Sequence, residues 1–401
     1  MASSISQRRL ERAQGRSQKQ QAGNEVQPES VNITMGWVLR RAGHEPVEVE
    51  ETCADGKTIS LVARKVADAA DMEEFAFLGG LRSEPVVELD LGGCSNLRSL
   101  PESVGEFSSL KALNLESCKA LLALPESVGQ LRSLQTLHLT RCERLSLLPD
   151  SVGELGSLQT LNLDGCSGLR ALPESVGHLS SLQTLCLDGC WGLSALPESV
   201  GQLGSRSLEV LILARCEGLG ALPASLGSLG SLQILNLNGC KGLSLLPDSV
   251  GRLSSLQTLD LRFCRGLRSL PDAVGRLSSL QALYLDGCRK LGALPASVGE
   301  LVALQILNLD GCEGLAELPE SIGSLGSLQV LNLHGCHGLS ALPESVGRLG
   351  SLQTLDLRFC KGLCELPESV DKLGSLQTLD LRGCPAVDIL PEALKRFAPE
   401  A

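Results

Sequence analysis

From Val86 onward, apolar positions recur in a fixed order with polar positions between them, LxxLxLxxCxxLxxLPxSVGxLxS. The pattern opens at Val86, Leu110, Leu134, Leu158 and Leu182, and again at Leu208, Leu232, Leu256, Leu280, Leu304, Leu328, Leu352 and Leu376. Each step is 24 residues except that from Leu182 to Leu208, which is 26 because Gly204-Ser205-Arg206-Ser207 carries two extra residues. Within a copy, LxL alternates with period two, so its leucines point one way and the residues between them the other, as in a strand. The xxC that follows turns the chain, and LxxLP sends further apolar side chains inward. Proline then opens a short helical or 3₁₀ segment at PxSVGxL. The glycine after Val reads as a permissive backbone position where that segment ends. One copy cannot bury its leucine face alone. Stacked copies make a parallel sheet along an inner wall with a continuous Leu/Val core behind it. Twelve inter-strand steps of ~4.8 Å give an inner arc of about 58 Å.

This unit resembles the leucine-rich repeat, whose period lies in the same range. The resemblance implies an α/β solenoid, a horseshoe or superhelical arc, with a parallel β-sheet on the concave face and short helical or 3₁₀ segments on the convex face. Three regions are expected: a disordered polar arm over 1–30, an N-terminal cap over 31–85, and thirteen repeats over 86–399 ending in a closing helix at 391–399 that buries Leu394 and Phe397. Within the cap, Pro46-Val47-Glu48-Val49 and Ile59-Ser60-Leu61-Val62-Ala63 flank Asp55-Gly56, a hairpin signal. A helix over 68–78 would lead into the first repeat.

Thirteen of the sixteen cysteines share one repeat position: Cys94, Cys118, Cys142, Cys166, Cys190, Cys216, Cys240, Cys264, Cys288, Cys312, Cys336, Cys360 and Cys384. Neighbouring Cα atoms in such a ladder would lie about 5 Å apart, within reach of a disulfide. Equivalent positions in a reducing compartment argue instead for a structural ladder that fills the turn and serves its backbone polar groups. Two C-x₃-C pairs, Cys186–Cys190 and Cys360–Cys364, each spend one member on the ladder, which argues against zinc.

Net charge is −11, which would repel a phosphate backbone, and aromatic residues make up only 2% of the chain, too few for a base-stacking platform. Nucleic acid is therefore excluded as a partner. No apolar leader follows Met1, so no signal peptide is expected, and the longest uncharged run, 218–240, carries proline and amides unsuited to a lipid-facing helix. A cytoplasmic monomer without membrane insertion is expected. Arg8, Arg9, Arg12, Arg16 and Lys19 make a nuclear location the alternative. Gly56-Lys57-Thr58 ends like a phosphate-binding loop, but Glu51 stands where that loop needs glycine, and the hairpin turn explains the residues better. The five histidines show no metal spacing. The acidic residues after Pro, such as Glu102, Glu126 and Asp150, suit the start of each short helix. No catalytic constellation, metal site or cofactor is expected.

If the repeat positions are counted from its opening leucine, the third, fifth and seventh should face the concave wall, with the eighth at its edge. Two places depart from a polar wall. Cys186, Val210, Ile212, Ala214 and Ile234 form an apolar island beside Trp191. Next to it Asp260, Arg262, Phe263, Tyr284 and Asp286 combine the residue types of interface anchors. Arg358-Phe359 repeats Arg262-Phe263 at four periods' distance. These residues are the candidate protein-binding site, with block duplication of repeats as the alternative origin of the Arg-Phe pairs.

The fuller unit LxxLxLxGCxGLxxLPESVGxLxSL, as in Leu161-Asn162-Leu163-Asp164-Gly165-Cys166 and Leu172-Pro173-Glu174-Ser175-Val176-Gly177, is similar to the repeats of plant intracellular nucleotide-binding immune receptors. That resemblance implies recognition of effectors or guarded host proteins in plant-type defence signalling. No nucleotide-binding domain precedes the repeats here, so the implied role is that of a repeat-only relative or the recognition subunit of a larger assembly. The alternative is a substrate-recognition adaptor of a ubiquitin ligase, since cysteine-bearing repeats also occur in such adaptors.

Overall fold

The computed structural model describes residues 86–203 and 207–385 in full and, before them, the backbone of three strands. Those strands are β1 (Trp37–Leu39), β2 (Val47–Cys53) and β3 (Ile59–Arg64). β2 and β3 pair antiparallel with Cys53 opposite Ile59, while the turn expected at Asp55-Gly56 lies outside the described residues. β3 then pairs parallel with the first repeat strand, β4 (Val86–Asp90). From β4 to β16 (Thr378–Asp380) the thirteen repeat strands follow one another in chain order in one open parallel sheet. The helices expected over 68–78 and 391–399 lie outside the described residues.

Register is constant, with equivalent residues of successive repeats side by side. The insertion before Leu208 does not disturb it, since Thr184 still faces Val210 and Cys186 faces Ile212. The extra length is absorbed in the connection, where it costs no sheet pairing.

Behind the sheet each proline sets the start of a five-residue 3₁₀ segment, from Glu102–Glu106 to Glu368–Lys372. Between the helical alternatives the structure chooses 3₁₀: the Val104 amide donates to the Pro101 carbonyl three residues back, and Phe107 to Val104. The opening carboxylates serve amides, but not those of their own segment. Glu102 accepts from the Ser127 amide of the next repeat at 3.0 Å, and Glu198 from that of Ser225 at 3.1 Å. Glu126 and Glu174 do the same for Ser151 and Ser199, so four glutamates of the first repeats cap their neighbours.

The glycine after Val has a different reason from the one its sequence position suggests. None of these glycines adopts a positive φ. A methyl group on Gly105 or Gly129 would stand 2.6 Å from the carbonyl oxygen of the next repeat's serine, and later copies approach closer still. Close stacking, not backbone freedom, requires glycine here. The left-handed position is the eighth, just before cysteine, and it is left-handed in all thirteen repeats. Glycine fills it in eight of them; Ser117, Arg141, Arg215, Phe263 and Phe359 fill the rest.

The leucines and the cysteine of each repeat form one continuous buried core along the stack. From Cys118 to Cys360 every ladder thiol donates to the carbonyl of the sixth-position leucine one repeat earlier, at 3.0–3.3 Å, as Cys240 does to Leu213. The fifteen described cysteines are free thiols. Burial pushes the thiols of Cys142, Cys166, Cys240 and Cys288 up to about 12.

Gly251→Ala, which places a methyl on the Ala273 carbonyl, should lower unfolding free energy by ~1–3 kcal/mol in urea titrations. Gly326→Ala, with open space around it, should change it by less than ~0.5 kcal/mol. Equal effects would show that stacking distance does not constrain the glycine. Among the described cysteines, a thiol reagent should label exposed Cys364 in the native chain and reach the ladder only on unfolding.

Candidate functional site

The open face of the sheet carries the third, fifth and seventh positions of each repeat, because the fourth and sixth are spent on the core. The fifth column is largely structural. In nine repeats it is Asn or Asp, and its side-chain oxygen accepts the amide of the seventh residue, as Asn114 does from Glu116 at 2.9 Å and Asn332 from His334 at 2.9 Å. The polar character expected of an exposed wall is therefore, at this column, the chemistry of a turn closing the strand. His138, Cys186, Ile212 and Tyr284 replace it in the other four repeats.

The candidate residues divide into a packed set and an accessible set. Asp260 is 1% exposed and Tyr284 2%, so these two side chains are parts of the wall rather than projections from it. Strands one peptide spacing apart cover one another's fifth residues, which the sequence does not reveal. Arg262 closes this arrangement, with its Nε 2.9 Å from Asp260 Oδ1 and its guanidinium carbon 5.5 Å from the Tyr284 ring centroid. Cys186, Ile212 and Ala214 are likewise buried, packed with half-buried Val210 in a cluster separate from the main core. Ile234 is half-buried beside them.

Trp191, Phe263 and Phe359 are the accessible members, 61%, 48% and 48% exposed, on the turns beyond the strand ends. Both phenylalanines occupy the left-handed eighth position, with φ +56°. Each lies over the next repeat's glycine: a methyl on Gly287 would come within 2.6 Å of the Phe263 ring, and one on Gly383 within 2.6 Å of Phe359. Arg141 over Gly165 and Arg215 over Gly239 repeat the arrangement with Cγ contacts of 3.3 Å. A bulky side chain at this position is thus followed by glycine in the next copy.

The second Arg-Phe pair reproduces the first. Arg358 Nε lies 2.9 Å from Asp356 Oδ1 and 3.5 Å from Asp380 Oδ2. Phe359 meets His334 edge to face at 5.6 Å, and His334 Nδ1 lies 2.7 Å from Asp310. Arg215 forms a two-pronged pair with Asp188, at 2.8 and 2.7 Å.

Asp286, in the seventh column between Arg262 and Asp310, has a buried Oδ1 that accepts no hydrogen bond. Loss of solvent pushes its carboxyl up to about 7; Arg262 opposes the shift, and Asp260 and Asp310 add to it. Burial likewise pushes Asp164 up to about 6, although it accepts the Asp188 amide at 2.8 Å. Among the described residues no group of three or more His, Cys, Asp or Glu could hold a metal ion, and no helix is long and apolar enough to cross a membrane.

A carboxyl whose pKa rises on folding binds its proton more tightly in the folded chain, so its contribution to stability falls as pH climbs from the unfolded value of 3.8 to about 7. Asp286→Asn should therefore gain stability over the parent progressively across that window in urea titrations. A pH-independent difference would show that Asp286 is as well solvated folded as unfolded.

Residues 205–313 match the family model of a leucine-rich repeat region. The structure is similar to a leucine-rich-repeat protein of Leptospira interrogans, at 28% identity over 80% of this chain and 95% of that one, with a TM-score of 0.44. It is also similar to the leucine-rich repeat domain of the type III effector XopL, at 34% identity over 53% of this chain and 73% of that one, with a TM-score of 0.49. No curated protein matches the sequence. The matched region shares its unit and register with the other described repeats, and the chain belongs to the leucine-rich-repeat proteins.

Proposed function

We propose that the chain is a non-enzymatic scaffold that recognises a protein partner along the concave face of the sheet and the rim beside it. The observation that carries this reading is the pair of half-exposed phenylalanines, Phe263 and Phe359, in left-handed backbone. That conformation costs a non-glycine residue about 1–2 kcal/mol, and eight other repeats avoid the cost with glycine. Neither ring joins the core, and each keeps about half its surface open despite its contacts with the neighbouring turn. Large aromatic side chains at an accessible rim, next to the paired arginines Arg262 and Arg358, have the composition of interface anchors.

The similarity of the unit to plant immune-receptor repeats supports recognition rather than catalysis, and defence signalling is the setting it suggests. A ligase adaptor would use the same surface with a different companion.

The test replaces both phenylalanines with glycine, the residue found at their position elsewhere in the stack. Phe263→Gly/Phe359→Gly should leave unfolding free energy unchanged or raise it, while capture of the native partner in tagged purification falls about tenfold. Undiminished capture would remove the rim from the binding surface. Ubiquitin-ligase subunits among the captured proteins would favour the adaptor role.

A further inference from the structure

Two columns of the concave wall remain once the structural fifth column is set aside, and they differ in chemistry. In the third column, repeats six to eleven carry Val210, Ile234, Thr258, Ala282, Ile306 and Val330. Threonine occupies that column in the repeats on either side, at Thr160 and Thr184 and again at Thr354 and Thr378. The column thus carries two aliphatic pairs, Val210 with Ile234 and Ile306 with Val330, separated by the buried Thr258 and Ala282. Val210, Ile234, Ile306 and Val330 are half-buried, so part of each side chain remains open to solvent.

Along the seventh column of the same repeats run Ala214, Asn238, Arg262, Asp286, Asp310 and His334. The cation in this row is already spent, because Arg262 is clamped on Asp260. Asp286 has no such partner at Oδ1, and Asp310 meets only a histidine among the ion pairs. The row therefore presents one accessible carboxylate, Asp310, beside the half-buried carboxyl of Asp286, which an approaching cation would hold in its charged form, opposite the rail of aliphatic side chains.

Dimensions narrow what can lie between the rails. The third and seventh positions of one repeat stand at most about 13 Å apart, close to the ~10–12 Å diameter of an α-helix with its side chains. Five strand steps along the patch span about 24 Å, the length of a helix of about 16 residues. An extended strand is too narrow to touch both rails at once.

Resting on the scaffold reading above, we infer that the concave wall of repeats six to eleven receives one basic amphipathic helix lying across the strands. Its aliphatic face sits on Val210, Ile234, Ile306 and Val330, and its Lys or Arg side chains reach Asp286 and Asp310. The helix axis follows the stack, so successive turns meet successive repeats.

The probe is a synthetic peptide of about 18 residues with Leu at i, i+3, i+4 and i+7 spacing and Lys elsewhere, its binding to the full chain read by fluorescence anisotropy. Two controls carry the scrambled Leu/Lys sequence and the same pattern with Glu for Lys. The helical Leu/Lys peptide should bind about tenfold more tightly than either control. Ile306→Thr/Val330→Thr and Asp286→Asn/Asp310→Asn should each weaken it about fivefold; both pairs introduce residues that other repeats already carry in those columns. Equal binding of the three peptides, or binding unmoved by both variants, would overturn the inference.

Selection from an unbiased displayed peptide library separates this result from the underlying reading. Binders of extended or acidic character that are lost on Phe263→Gly/Phe359→Gly would leave the scaffold standing and remove the helix. If none of the binders depends on the concave wall or its rim, both fall.

Discussion

The contact on which the rest of the molecule depends is the approach of one repeat's glycine to the next repeat's serine carbonyl behind the sheet. It sets how closely successive 3₁₀ segments stack, and so lets thirteen strands stay in one register in front. Two polar connections bind copies together around it. A thiol reaches back to the preceding leucine carbonyl along the stack, and in four of the first repeats a glutamate reaches forward to the following serine amide. Each repeat is incomplete until its neighbours supply these partners, so stability is a property of the interfaces between copies.

What the sequence made legible is what depends on periodicity. The strand, the proline-led turn, the buried leucines and the cysteine ladder all follow from side chains recurring at one spacing. The features it concealed are those in which one residue type has more than one use. Glycine serves both close approach and left-handed backbone. The glycine after Val, which by position alone suggests the second role, has the first, while the left-handed role falls one residue before cysteine. Asparagine and aspartate in the fifth column read as solvent-facing polarity, yet their oxygens hold the amide two residues on. The cue was available in the preference for Asn and Asp over Lys, Glu or Gln, because only the short side chains close that turn.

The candidate site was partly legible for the same reason. Aromatic residues are few, so those outside the core pattern stand out, and Trp191, Phe263 and Phe359 are indeed accessible. Tyr284 and Asp260 were indistinguishable from them by type. Their burial comes from adjacent strands and from the Arg262 clamp, contacts between residues far apart in any single repeat. The two rails on the wall emerge only after the fifth column is recognised as part of the scaffold.

The pairing of each bulky eighth residue with a glycine in the following copy imposes a grammar on the array. A large side chain at the rim occupies the space over the next repeat's position, so a second one there would have to displace it, most of all beside a phenylalanine ring. Ser117 before Arg141 shows the permitted exception, a small residue preceding a large one. Shuffling whole repeats would therefore break the text at some junctions and preserve it at others. Where Asp-Leu-Arg-Phe recurs four repeats on, the blank recurs with it, Gly287 in the first instance and Gly383 in the second.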